Sequence, residues 1–169
     1  PALYVIGTLA LLMPIYVTIE VARAASSQSR EIVESASERL AFFGNDHADV
    51  YFVLGQHRAI EDDYAGAETA YRKALGIEPS HYGVTYRLAG LLLRDHDGRD
   101  EALELAQRAA QQSKYSDPAS MLVLGRANLA TGNVDSAKSA IQIAVKLAVQ
   151  QGDNELMRIG NNLLSVLKR

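Results

Sequence analysis

The sequence contains no cysteine among its 169 residues, so disulfide bonds, thiol chemistry and cysteine-ligated metal sites are excluded. Proline is scarce as well, with four residues, and β-branched runs are rare outside the N-terminal segment. Because proline interrupts helices and β-branched residues favour strands, this composition predicts a chain that is almost entirely α-helical.

The sequence also lacks an excess of positive charge. Its 17 Lys and Arg residues against 20 Asp and Glu residues give a formal net charge of -3. A nucleic-acid-binding surface needs a basic patch or stripe. Nucleic acid is therefore not an expected partner.

Common catalytic motifs are missing too. The chain has no glycine-rich phosphate loop, no HExxH motif and no nucleophile elbow, and its four histidines are scattered without ligand spacing. The acidic segment from Asp95 resembles the start of a calcium loop, but its twelfth position, where such a loop needs glutamate, is Ala106. The sequence thus predicts no catalytic residue, no metal site, no cofactor and a protein that is not an enzyme.

What the chain does contain is a repeated pattern. Leu54-Gly55 recurs as Leu88-Ala89 and again as Leu124-Gly125, at intervals of 34 and 36 residues. Each repeat then carries two alanines seven residues apart, which places both on one helix face, where small side chains let a second helix approach. These pairs are Ala67 and Ala74, Ala102 and Ala109, and Ala137 and Ala144.

The first repeat is the most complete, with Tyr51, Leu54-Gly55, Ala67, Tyr71, Ala74 and Pro79 in order. This spacing resembles the tetratricopeptide repeat family over residues 48 to about 150. The resemblance implies an all-α, right-handed α-solenoid of three helix-turn-helix repeats that binds other proteins. Arg58 departs from the family, which prefers tyrosine there. We assign residues 47–152 to the repeats and 153–169 to a C-terminal capping helix.

The resemblance also implies where a partner binds, in a groove lined by the first helix of each repeat. The family's chaperone-binding members clamp a carboxylate with Lys and Asn at the positions of Phe52 and Gln56, so that mode is not expected. An apolar groove with Arg94 and Arg126 favours an amphipathic helix or an extended segment that carries an acidic residue. The predicted groove residues are Phe52, Gln56, Ile60, Tyr86, Gly90, Leu93, Arg94, Leu122, Arg126 and Leu129.

The first 19 residues contain no charged side chain. At about 1.5 Å per residue they would span about 28 Å, close to the thickness of a bilayer core. This run predicts a transmembrane helix over residues 1–23, with lipid around residues 2–22 and with Gly7, Leu11 and Pro14 contacting another membrane helix. Residues 24–46 would form a linker and a capping helix. A cleaved signal peptide, a buried core helix and the last span of a longer membrane protein are the alternatives.

Together these features predict a membrane-anchored scaffold that assembles or stabilises a membrane protein complex. Its partners would be protein subunits of that complex, and the repeat domain would lie outside the cytoplasm. One alternative is the C-terminal repeat module of a larger polytopic membrane enzyme, such as a glycan ligase or a glycosyltransferase. Another is a soluble secreted repeat protein formed after signal cleavage.

Overall fold

The computed structural model describes residues 2–27, 29–44, 46–95 and 97–167, and the side chains among them except those of residues 2–12 and 25. Over these ranges the chain is all-α, as predicted, with nine helices and no strand. The helices are α1 (Ala2–Ser26), α2 (Arg30–Phe42), α3 (Ala48–Ile60), α4 (Tyr64–Ile77), α5 (Tyr82–Leu92), α6 (Arg99–Gln112), α7 (Pro118–Ala130), α8 (Val134–Gln151) and α9 (Asn154–Val166).

The helices form two compact units, Pro1–His81 and Tyr82–Arg169. In the first unit, α3 and α4 pack as the hairpin that the repeat motif predicts. A Cβ atom at Gly55 would lie 2.4 Å from Cε1 of Tyr71, so the tyrosine ring needs a glycine beneath it. Ala67 and Ala74 are completely buried on the face of α4 that meets α3. The small residues therefore have the packing role that their spacing predicts.

The N-terminal hairpin of the first unit, α1 and α2, continues the same register. Val33, Ser37 and Leu40 stand 34 residues before Ala67, Tyr71 and Ala74, and they are buried in the same way. Both α1 and α2 pack against α3, as α5 and α6 pack against α7 in the second unit. The hairpin is thus a degenerate repeat whose signature residues have been replaced.

The predicted membrane span is wrong. No helix in the described part of the chain combines the length and the apolar character needed to cross a bilayer. Glu20, inside α1, is only 6% exposed and accepts a hydrogen bond at 2.7 Å from Nη2 of Arg39. Glu20 on the later part of α1 is therefore buried against α2, and the prediction of a single-pass membrane protein is corrected.

The contacts with another membrane helix that were predicted at Gly7, Leu11 and Pro14 are not tested by the structure. Pro14 lies inside the helix and is exposed, and its carbonyl oxygen accepts a hydrogen bond at 2.8 Å from the hydroxyl of Thr18. The side chains of Gly7 and Leu11 fall outside those that the structure describes.

The second unit contains two helical hairpins and the C-terminal helix. In the second hairpin, a Cβ atom at Gly125 would lie 2.4 Å from Cγ1 of Ile141, which repeats the close approach of Gly55 and Tyr71. Helix α9 packs on α7 and α8, and its Leu156, Ile159 and Leu163 lie against the core around Ile141. This helix lies within the predicted segment 153–169, and its role as a cap of the repeats stays a prediction.

Candidate protein-binding surfaces

The predicted groove residues of the first unit lie along α3. The ring of Phe52 is half-buried, with its centroid 5.1 Å from that of His81 and 6.4 Å from that of Tyr71. His81 is held in turn by Asp49, whose Oδ1 lies 3.0 Å from the His81 Nε2. Ile60, at the end of the helix, is 80% exposed. Gln56 is half-buried between Phe52 and Ile60. The face is thus apolar at both ends.

In the second unit the predicted groove residues lie on α5 and α7, which pack against each other. The Tyr86 ring lies 5.4 Å from the Tyr82 ring, and the Arg87 guanidinium lies 5.5 Å from the Tyr86 centroid. A Cβ atom at Gly90 would be 3.8 Å from the Val123 side chain, which is ordinary contact. The two helices therefore offer a shallow face with an aromatic residue at one end.

The five other predicted residues differ in exposure. Arg94 and Arg126 are exposed. Leu122, however, is only 6% exposed and belongs to the core cluster, and Leu129 packs against that cluster. Leu93 is half-buried just after α5. Their contact with a partner stays a prediction, and the surface that this unit offers consists mainly of Tyr86, Gly90, Leu93, Arg94 and Arg126.

A buried hydrogen bond fixes the start of this face. The Tyr82 hydroxyl donates to Oδ2 of Asp117 at 2.6 Å, and the same oxygen accepts from the backbone N–H of Ser120 to cap α7. Burial and this carboxylate raise the pKa of Tyr82 to about 12. The phenol is consequently neutral at physiological pH and donates its proton to Asp117.

A network of charged side chains joins α2 to the first complete repeat, and the sequence analysis did not predict it. Arg58, at the position where the repeat family prefers tyrosine, donates from Nη2 to Glu34 at 3.0 Å and from Nη1 to the carbonyl of Gly66 at 3.2 Å. Arg30 donates to Glu34 at 2.9 Å and to Glu61 at 2.6 Å. The ion pairs replace the packing that an aromatic ring would supply.

A second polar group lies nearby, between α3 and α4. Nζ of Lys73 donates to the Tyr51 hydroxyl at 2.6 Å, and this hydroxyl donates to Oδ1 of Asp46 at 2.7 Å. The ammonium also lies 4.2 Å from the Tyr51 ring centroid. Burial is the largest influence on the Tyr51 phenol and raises its pKa, so the hydroxyl remains a donor.

Solved structures similar to this chain are helical repeat proteins of the tetratricopeptide type. The type III secretion translocator chaperone SycD of Yersinia enterocolitica is 15% identical, with a TM-score of 0.63 over 72% of this chain and 91% of that one. MamA of Desulfovibrio magneticus is 18% identical, with a TM-score of 0.57 over 85% of this chain and 97% of that one. This is a tetratricopeptide-type fold.

The MamA alignment bears on the N-terminal hairpin. Residues before α3 make up more than a quarter of the chain, so an alignment over 85% of it includes part of that hairpin. The likeness therefore extends beyond the three repeats that the sequence motif indicates.

Two curated proteins match part of the sequence. Both are named probable biofilm formation methyltransferase WspC. The one from Pseudomonas putida is 34% identical over 96 residues, and the one from Pseudomonas aeruginosa is 35% identical over 94 residues. These matches cover 56% and 54% of this chain but 23% and 22% of the relatives, so the similarity spans about a quarter of their length. No known family model matches the sequence.

These relatives correct one prediction. The sequence predicted a protein that is not an enzyme, and the names of both curated relatives contradict that prediction. Catalytic motifs could not have anticipated this, because they report only particular catalytic residues and not the kind of protein in which a repeat segment occurs.

Proposed function

We propose that this chain is a protein-recognition module that binds a segment of a partner along the first helices of its repeats. The observation that carries the proposal is the tetratricopeptide-type fold together with the exposed face of α5 and α7. On that face Tyr86 offers an aromatic ring, and Arg94 and Arg126 offer two cations. Aromatic and arginine side chains are the types that dominate binding energy at protein interfaces.

The chemistry of this face defines the expected partner. Gly90 has no side chain of its own between the two helices, and the nearest side chain, that of Val123, would lie 3.8 Å from a Cβ atom placed there. A partner segment with an apolar side chain could rest on Tyr86 and Leu93, and a carboxylate of that segment could pair with Arg126. Paired guanidinium and carboxylate groups form strong, directional hydrogen bonds. We therefore infer an apolar and acidic ligand segment.

We propose further that this recognition serves methyl transfer, with the chain selecting the protein on which a methyltransferase acts or with which it assembles. The support is the sequence similarity to the two methyltransferases, at 34% and 35% identity over about a quarter of their length. A repeat segment that makes up about a quarter of an enzyme is suited to binding a protein partner and holding it close to the catalytic domain.

Affinity purification with quantitative mass spectrometry tests both parts. The tagged chain is compared with the Arg126→Glu and Tyr86→Ala variants, and proteins that depend on the groove should be depleted at least tenfold in both. Lys146→Glu, on an exposed face of α8, is the matched control and should retain them. Equal recovery with every variant would rule out the groove.

The link to methyl transfer needs a separate measurement. The groove-dependent proteins are incubated with a labelled methyl donor and the cognate methyltransferase, with and without the chain. We expect the chain to increase labelling of the partner and the Arg126→Glu variant to remove the increase. If labelling is independent of the chain, the methyltransferase role fails while the binding role stands.

A further inference from the structure

The two units contain the same cleft at equivalent repeat positions. In the first unit it lies among α2, α3 and α4 and has a volume of about 260 Å³. In the second unit it lies among α6, α7 and α8 and has a volume of about 500 Å³. Seven lining residues correspond through a shift of 70 residues: Ser37, Tyr51, Leu54, Arg58, Thr69, Ala70 and Lys73 in the first, and Gln107, Met121, Leu124, Asn128, Ser139, Ala140 and Ile143 in the second.

The cleft of the first unit is narrowed by contacts among the protein's own side chains. Lys73 lies over the Tyr51 ring and donates to its hydroxyl, and Arg58 extends to Glu34 on α2. These contacts join the walls of the cleft. An external ligand would have to break them to enter.

The cleft of the second unit carries none of these side chains. Met121 and Ile143 replace the tyrosine and the lysine, so its floor is apolar. Asn128 replaces the arginine, and its amide donates to the Leu124 carbonyl of its own helix at 2.9 Å. Ile143 is 42% exposed in this cleft. The result is a larger apolar depression whose walls are not joined by a cation.

The rim of this cleft is charged at one end. Asp135 lines it at the start of α8, next to the end of α7 that carries Asn128. Glu104 on α6 stands at the repeat position of Glu34, the carboxylate that Arg58 contacts in the first unit. Because asparagine stands at the position of that arginine, this end of the cleft has a carboxylate, Asp135, and no cation at that repeat position. A ligand with a basic side chain would complement Asp135.

The opposite end of the cleft is formed by a strained turn. Lys114 and Tyr115 have φ values of 52° and 58°, the left-handed region that non-glycine residues rarely occupy. The turn is held by a hydrogen bond of 2.7 Å from the Tyr115 N–H to the Ala110 carbonyl. It places the Tyr115 ring at the rim with 52% of the residue exposed. Strained backbone of this kind is concentrated at functional sites.

We propose that this cleft docks an amphipathic helical segment of a second protein partner. The segment would insert aliphatic side chains between Tyr115 and Ile143 and place an arginine or a lysine beside Asp135. Leu124 and Asn128 on α7 line the cleft. Each is two residues from Arg126 in sequence, which corresponds to a rotation of about 200° around the helix axis. The cleft therefore lies on the opposite side of α7 from the proposed groove and leaves that groove available.

Two synthetic peptides test the proposal on the full chain. Both are fluorescent 16-residue alanine-based helices with leucines at i, i+4 and i+7, and they differ only in a terminal arginine or glutamate. Binding is followed by fluorescence anisotropy. The arginine peptide should bind several-fold more tightly than the glutamate peptide, a factor within the range of an exposed ion pair.

Three variants locate the binding. Ile143→Asp should weaken both peptides about tenfold or more, as expected for a central apolar contact. Asp135→Lys should invert the preference in favour of the glutamate peptide. Arg158→Glu, an exposed position on α9 that lines neither the cleft nor the proposed groove, should leave both affinities unchanged, and far-ultraviolet circular dichroism checks that each variant is folded.

Several outcomes would overturn the proposal. They are an absence of binding by both peptides, equal affinity for the two, and an affinity that Ile143→Asp does not change. Sedimentation of the chain alone tests a second copy as the occupant. A dimer that Ile143→Asp dissociates would assign the cleft to self-association and refute the heterologous partner.

Discussion

Arg58 and Glu34 are 24 residues apart in the sequence, yet the arginine Nη2 donates to the glutamate Oε1 at 3.0 Å. Arg30 donates to the same oxygen from the other side at 2.9 Å. Arg30 and then Arg58 lower the pKa of the Glu34 carboxyl below its ordinary value of 4.5. The contact of the N-terminal hairpin with the first complete repeat therefore depends on a charged glutamate.

This dependence predicts a sensitivity to acid. A carboxyl whose pKa is lower in the folded state stabilises the fold above pH 4.5, and the contribution is lost as the pH falls through the folded-state pKa. We expect wild type to be more stable than Glu34→Gln at pH 6 and the gap to close toward pH 3. Urea denaturation followed by circular dichroism at pH 6, 4 and 3 measures it.

Glu38→Gln is the control for that experiment, since Glu38 is an exposed glutamate on the same helix. Its stability relative to wild type should change little over the same pH range. A gap between wild type and Glu34→Gln that stays constant with pH would show that the glutamate contributes through packing.

The glycines of the repeat motif differ in their tolerance of a methyl group. An alanine Cβ at position 125 would meet the buried Ile141 side chain at 2.4 Å, whereas at position 90 its nearest neighbour would be 3.8 Å away. We expect Gly125→Ala to destabilise the fold by about 1–3 kcal/mol through overpacking. Gly90→Ala should be neutral or stabilising by up to about 1 kcal/mol, because alanine favours helix. Thermal denaturation of the two variants compares them, and equal melting temperatures would contradict the close-packing assignment.

The carboxylate of Asp117 has two roles, and the substitution Asp117→Ala removes both. It caps α7 through Ser120 and accepts from the Tyr82 hydroxyl. Asp117→Ala should cost about 0.5–2 kcal/mol through loss of the cap. It should also shift the pKa of Tyr82 from about 12 toward the ordinary 10.0, since the hydrogen bond to this carboxylate and its negative charge both raise that pKa and both are removed. Ultraviolet difference titration against Tyr82→Phe isolates this phenol, and an unchanged titration would exclude the hydrogen bond.

Two turn residues should respond in opposite directions to substitution. Gly132 has a φ of 83°, and a Cβ atom added there would have no neighbour within 4 Å, while exposed Lys114 has a φ of 52°. Gly132→Ala should destabilise the fold by about 1–2 kcal/mol because a left-handed conformation penalises any Cβ atom. Lys114→Gly should stabilise it by up to about 1 kcal/mol for the converse reason. The free energies of unfolding in urea check both signs, and destabilisation by Lys114→Gly would argue against strain there.

The repeat helices could be predicted because the residues that pack together within each hairpin are close in sequence and recur at regular spacing. The alanine pairs and Gly55 with Tyr71 are close in sequence and meet within one hairpin. The N-terminal hairpin could not be predicted in this way, because its register rests on Val33, Ser37 and Leu40, which carry no motif. Its uncharged run resembles a membrane helix in composition. The contact of the Tyr16 ring with that of Phe43, with centroids 5.6 Å apart, and the pairing of Glu20 with Arg39 show that α1 packs against protein.

The repeat register predicts which helices carry the groove residues, but it does not predict how exposed each side chain is. Repeat register assigns Leu122 and Arg126 to the same face, but Leu122 is covered because the core of the second unit extends to it. The clefts were not predictable, since their character depends on pairs such as Tyr51 with Lys73, which are 22 residues apart on different helices. A departure from the motif, Arg58, was the one visible sign of the network in the first unit.

The hydrogen-bonded network of Tyr51, Lys73 and Asp46 shows how the cleft of the first unit is narrowed, and the cleft of the second unit can be compared with it. The helices around the two clefts occupy equivalent repeat positions. The side chains at these three positions therefore determine whether contacts across the cleft close it. Transplanting them as Met121→Tyr, Ile143→Lys and Ser116→Asp would copy the closed form onto the second unit, since each stands 70 residues after its counterpart. In that variant the cleft of the second unit would no longer bind a partner, while the positions of α6, α7 and α8 would be unchanged.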